Sequence, residues 1–154
     1  TGMRERQTDK TFVQFTARVY GYRAAFVLLR GYIGRGADTI GRIIARWAPS
    51  RDGNDTQAYI RHVSRSTGIG AGQALSFEDK DALVEIVRSM AHMESGIIED
   101  RAVISRHSSR SDRSPDTAAV WAEKPQITRY HRAAGSQSRS LGRCFMAILP
   151  DSTG

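Results

Sequence analysis

Ile40, Ile43, Ile44 and Trp47 stand at i, i+3, i+4 and i+7, the spacing that lines four apolar side chains along one face of a helix. Asp38 or Thr39 can open that helix by accepting backbone hydrogen bonds. Pro49 disfavours helical geometry at Ala48, so the run Arg46-Trp47-Ala48-Pro49 has to close it. Ser50-Arg51-Asp52-Gly53 has the chemistry of a turn, and Asn54 or Asp55 can cap a second helix that carries Tyr59, Ile60 and Val63 and stops near Gly68. The order of these signals predicts two helices meeting at a corner, with a tryptophan held at the junction. That junction is the first place to look for function.

The same logic extends along the chain. Tyr22, Ala25, Phe26, Leu29 and Ile33 share one helical face over about 20–33, and Gly34-Arg35-Gly36 then reads as a turn. Ser76-Phe77-Glu78-Asp79 resembles a capping box, followed by Leu83, Ile86, Val87, Met90 and Met93 on the face of what reads as the longest helix, about five turns ending at Ser95-Gly96. Lys10 to Thr16 is short, aromatic and β-prone, so an extended segment is expected there. Beyond Ile104 the periodicity fails, and His107 to Asp116 is Ser/Arg-rich in the manner of a linker. Ala118–Ala122 and Leu141–Leu149 hold apolar clusters without a clear period. The expected architecture is mainly α, a small lobe of about four helices over 1–104 with a short N-terminal extended segment, followed by an irregular tail over 105–154.

With 154 residues, 40% of them hydrophobic, one modest core is the natural outcome. The single cysteine, Cys144, allows no internal disulfide, and its apolar neighbours favour an inert thiol over a nucleophile. No apolar run approaches the roughly 20 residues of a membrane span, and no signal peptide is visible. The net charge of +7 invites a nucleic-acid reading, yet residues 1–104 carry 15 basic and 12 acidic side chains while residues 105–154 carry 8 and 4, so the excess is proportionally greater in the tail. Arg23, Arg42, Arg46, Arg61 and Arg65 read as solvated helix faces unless they cluster in three dimensions.

Few residues carry obvious chemistry. Gly68-Ile69-Gly70-Ala71-Gly72 follows a predicted helix and lacks the strand that a dinucleotide loop needs. His62, His92, His107 and His131 do not stand at metal-ligand spacings, so no metal and no cofactor are expected. Glu94 is more informative, because it ends a helix between Met90, Met93 and Gly96. A general acid for glycoside cleavage is a carboxyl that holds its proton near neutrality, which apolar surroundings favour; a helix-end glutamate exposed to solvent is the plain alternative. Asp52 or Asp55 would supply the second carboxylate, and Trp47 and Tyr59 could stack on sugar rings or bases if they are not core residues.

Thr8-Asp9, Phe12 with Phe15, Tyr20-Gly21-Tyr22-Arg23-Ala24-Ala25, Thr39-Ile40 with Ile43-Ile44, Arg46-Trp47-Ala48-Pro49, Asn54-Asp55-Thr56 with Tyr59-Ile60, Val63, and Met93-Glu94-Ser95-Gly96 occur in this order over residues 2–104. Together they resemble a family of small phage and prophage proteins usually labelled virion structural proteins. The usual opening of that family, of the Arg-Asn-Asn-Asn-Pro-Gly-Asn-Ile-Arg type, is absent, and the chain starts at Thr1, so a fragment with missing upstream sequence is expected. The family commonly has Glu-Asn where this chain has Gly53-Asn54, and Glu-Asn-Gly where it has Glu94-Ser95-Gly96. A more distant likeness to lysozyme-like wall-cleaving enzymes implies a helical, lysozyme-like lobe through which a virion engages peptidoglycan. On that likeness Glu94 is the acid, and Trp47, Tyr59, Asn54 and Asp55 bind substrate.

Three functions are therefore carried forward. The first is a phage- or prophage-derived virion structural or accessory protein, located in the virion or the bacterial cytoplasm, whose partners are other virion proteins or cell-wall glycan. The second is a glycan hydrolase or its remnant, which needs Glu94 in a cleft with Trp47 or Tyr59. The third is a basic nucleic-acid-binding module, which needs the helix arginines on one face.

Overall fold

A computed structural model of the protein describes residues 5–6 and 17–108. Among them are five α-helices and no strand: α1 (Arg18–Gly34), α2 (Ile40–Trp47), α3 (Thr56–Thr67), α4 (Lys80–Ser95) and α5 (Arg101–Ser108), with a single 3-10 turn at Ser50–Asp52. The mainly helical architecture read from the periodicity is thus the one observed. The extended segment expected at 10–16 and the apolar clusters expected at 118–122 and 141–149 lie outside the described residues.

Local sequence explains most of the boundaries. Thr39 opens α2 by accepting a hydrogen bond from the Arg42 amide at 3.2 Å, and Ala48 ends it ahead of Pro49. Asp55, not Asn54, caps α3, its carboxylate accepting from the Ala58 amide at 2.8 Å. Gly53 and Gly68 take the left-handed conformation (φ 82° and 72°) that lets the chain turn immediately before and after α3.

Two expectations need correction. The helix expected from Ser76 begins only at Lys80, because Ser76–Asp79 closes on itself: Ser76 donates its amide to the Asp79 carboxylate (2.9 Å), and the Ser76 hydroxyl accepts from the Glu78 amide (3.2 Å). The side chains that looked like a cap are spent on this turn, so α4 has 16 residues and α1, with 17, is the longest helix among the described residues. The second correction is α5, which was not foreseen and runs through Ser108, past the point where periodicity fails. It is held by one buried side chain, Ile104, and by polar ties: Arg101 pairs with Asp81 and with Glu85 (2.9 Å), both on α4.

Helix α4 is central, packing against α1, α3 and α5, while α2 lies across α3 and touches α1. The fully buried side chains Phe26, Leu29, Ile43, Ile44, Val63, Leu83, Ile86 and Ile104 come from every helix and form one continuous core. The glycine-rich run after α3 is a packed connector. Gly41, in the first turn of α2, donates its amide to Ala71 (2.9 Å), and a Cβ at Gly41 would stand only 3.2 Å from that carbonyl oxygen. No helix among the described residues is long and apolar enough to cross a membrane.

Candidate functional site

Pro49 and the turn at Ser50–Asp52 fix the angle at which α3 leaves α2, and three polar contacts hold that corner. The Thr56 hydroxyl donates to the Ala48 carbonyl (2.6 Å) in a buried setting, Asn54 donates its amide to the Pro49 carbonyl (3.2 Å), and Asp55 caps α3. The first and third satisfy backbone groups at the end of α2 and the start of α3 that lack an intrahelical partner, and the second adds to a Pro49 carbonyl that also accepts from the Asp52 amide (3.0 Å). The corner places Trp47 and Tyr59 side by side against the end of α4. There the Glu94 carboxyl oxygen Oε1 accepts from the Trp47 indole N–H at 3.2 Å and from the Tyr59 hydroxyl at 2.8 Å. The Tyr59 hydroxyl also lies 3.5 Å from the Met90 carbonyl.

All three side chains are buried, with 5%, 6% and 8% of Trp47, Tyr59 and Glu94 exposed. A carboxyl group at the C-terminal end of a helix faces the negative end of the helix dipole, and burial adds the cost of lost hydration. Two donors converging from α2 and α3 offset both effects, so Glu94 links three helices. Gly96, at φ 71°, ends α4 directly behind it.

The structure therefore brings Glu94, Trp47 and Tyr59 together, while Asn54 and Asp55 stand beside them as a corner brace and a helix cap. Among the described residues no group of three or more His, Cys, Asp or Glu side chains is placed to hold a metal ion.

Sequence reasoning missed a second polar group. Tyr59 meets Glu94, His62 lies against His92 with ring centroids 5.6 Å apart, and Ser66 is hydrogen-bonded to Ser89. These pairs run in opposite directions along α3 and α4, so the two helices are antiparallel and share a polar seam. The signal was present, since His62 and Ser66 are four residues apart and Ser89 and His92 three, spacings that place each pair on one helix face. Burial, and secondarily the neighbouring His92, hold the His62 imidazole below its ordinary pKa. Beside the seam, Ala58, Arg61, His62, Arg65 and Ser66 line a shallow recess of about 400 Å³.

Comparison with known proteins gives one clear similarity. No family model matches the chain, and no solved structure matches it. Over 96 residues, 62% of its length, the chain is 41% identical to Protein P5 of Pseudoalteromonas phage PM2, and the shared stretch spans 58% of that phage protein.

Proposed function

We propose that the chain is a structural or accessory component of a phage or prophage particle, without catalysis of its own. The observation that carries this reading is the burial of the Glu94, Trp47 and Tyr59 cluster. A carboxyl group that cleaves glycan must reach a polymer, and aromatic rings that hold sugars must offer a face to it. Here the same groups are engaged in joining α2, α3 and α4. The similarity to a phage protein supports the origin. Ile97 and Ile98, 41% and 68% exposed just after α4, are the large hydrophobic side chains left exposed among the described residues. On this reading the partners are other virion proteins and, at the host surface, cell-wall glycan that is engaged but not cut.

Two measurements test it together. Mass spectrometry of gradient-purified particles should find the chain at a constant ratio to the major coat protein. Peptidoglycan sacculi incubated with the full chain, or with its Glu94→Gln variant, should release no soluble sugar. Release by the parent chain that vanishes in the Glu94→Gln variant would make the protein a wall hydrolase instead, and absence from particles would remove the virion role.

A further inference from the structure

The carboxylates of the described residues are unevenly distributed. Arg42 is paired with Asp38 at 2.8 Å, Arg88 with Glu85 at 3.4 Å, and Arg101 with Asp81 and Glu85. On α3 the only acidic side chain near the recess is its cap, Asp55, which is engaged with the Ala58 amide. Arg61 and Arg65 make no ion pair with any of these groups, and both are exposed. They stand one helical turn apart, about 6 Å along the axis. His62 and Ser66 line the same recess on α3.

Guanidinium pairs with phosphate oxygens particularly well, so Arg61 and Arg65 are the donors on offer, while the Ser66 hydroxyl is already engaged with the Val63 carbonyl and Ser89. We propose that this recess binds the phosphodiester backbone of a nucleic acid. The recess is shallow and its lining comes from one helix, so it lies at the surface, where a polymer strand can reach both arginines. Its composition argues against a lipid surface, because the sole apolar lining residue is Ala58 and no large side chain is available to enter the acyl region. The backbone contact carries no sequence preference, as expected of phosphate contacts made without base-edge readout. The role goes beyond that of a particle component, and it stands or falls separately from it.

The experiment is a titration of a fluorescently labelled, mixed-sequence single-stranded oligonucleotide with the full chain over a series of salt concentrations, followed by anisotropy. The R61Q/R65Q variant is compared with the parent and with R42Q/R51Q, which loses the same formal charge elsewhere. Circular dichroism checks that each keeps its helices, as substitutions of exposed side chains should allow. Two phosphate contacts on a single strand contribute about 1.4 to the slope of log K against log salt, so R61Q/R65Q should be shallower by about that amount and roughly tenfold weaker at low salt. R42Q/R51Q should keep the parent slope.

Residues 105–154 carry 8 basic and 4 acidic side chains, which makes the comparison between variants, and not binding by itself, the deciding quantity. Equal slopes for all three proteins, equal losses in both variants, or no binding at low salt would each overturn the proposal. So would tighter, arginine-dependent binding to phosphatidylglycerol vesicles than to the oligonucleotide, which would assign the recess to a membrane surface.

Discussion

Replacing Glu94 by alanine should destabilise the fold by about 3 kcal/mol, because it removes the acceptor that the Trp47 indole and the Tyr59 hydroxyl share and leaves a gap between three helices. Glu94→Gln keeps a carbonyl oxygen at the same place and should cost only about 1 kcal/mol, the difference between a charge-assisted and a neutral hydrogen bond. Urea unfolding followed by circular dichroism separates the two. Equal stability of the parent and Glu94→Ala proteins would deny the linking role. His62 gives a pH-dependent counterpart. Burial and then His92 lower its pKa in the folded state, so the unfolded chain takes up a proton there more readily. At high pH the ring is neutral in both states and contributes nothing. As pH falls through the unfolded value of 6.5 the folded state loses stability, and the loss levels off below the folded value. His62→Asn should reduce the drop in urea midpoint between about pH 7.5 and about pH 5.5, before most carboxylates titrate.

At the scale of elements, the α2–α3 corner predicts its own sensitivities. Thr56→Val removes the buried hydroxyl that serves the Ala48 carbonyl and should cost about 1–2 kcal/mol, while Gly53→Ala forces a side chain into φ 82° and should cost about 1 kcal/mol. Thermal unfolding of both variants checks these values. The corner also explains what the sequence made legible. Arg46-Trp47-Ala48-Pro49, Asn54-Asp55-Thr56, Tyr59 and Glu94, separate motifs in the chain, meet at one hydrogen-bonded junction. Helices α1 to α4 could be read because each buries a stripe of apolar side chains at helical spacing. Helix α5 could not, since a single buried residue in eight leaves no period to find and its polar anchors lie on a different helix. The start of α4 was misplaced for a related reason: Ser76 and Asp79 have capping chemistry whether they open a helix or close a turn, and only the backbone decides between them. The junction residues were legible as a group, and Trp47 on an apolar helix stripe already favoured a core position; the burial of Glu94 was not legible, because a glutamate at a helix end is ordinarily solvated and only the two donors from α2 and α3 make its burial tolerable.

For the whole molecule, the decisive question is how much of the stability α5 supplies, since it lies across the boundary at residue 104 that sequence composition suggested. Tyr22 on α1 donates its hydroxyl to the Glu99 carboxylate at 2.8 Å; burial, followed by this contact and the charge of Glu99, raises the Tyr22 pKa well above the ordinary tyrosine value. Arg88 on α4 donates to the Glu99 carbonyl at 2.8 Å, and Ile104 fills the space between α1 and α4. Burial of one isoleucine contributes about 2 kcal/mol and a hydrogen bond to a charged group about 1.5 kcal/mol, so removing the segment should cost about 3–5 kcal/mol. Small domains have only about 5–15 kcal/mol in total. A chain ended at residue 108 should therefore unfold in one cooperative transition close to that of the full chain, whereas one ended at residue 98 should unfold at a much lower urea concentration or lose its helical signal. If both shortened chains unfolded like the full one, α5 would be an appendage to a four-helix core, and the Tyr22–Glu99 contact would be a surface detail. If both failed, residues beyond 108 would belong to the folding unit, and the helical domain would extend into the region whose composition reads as a tail.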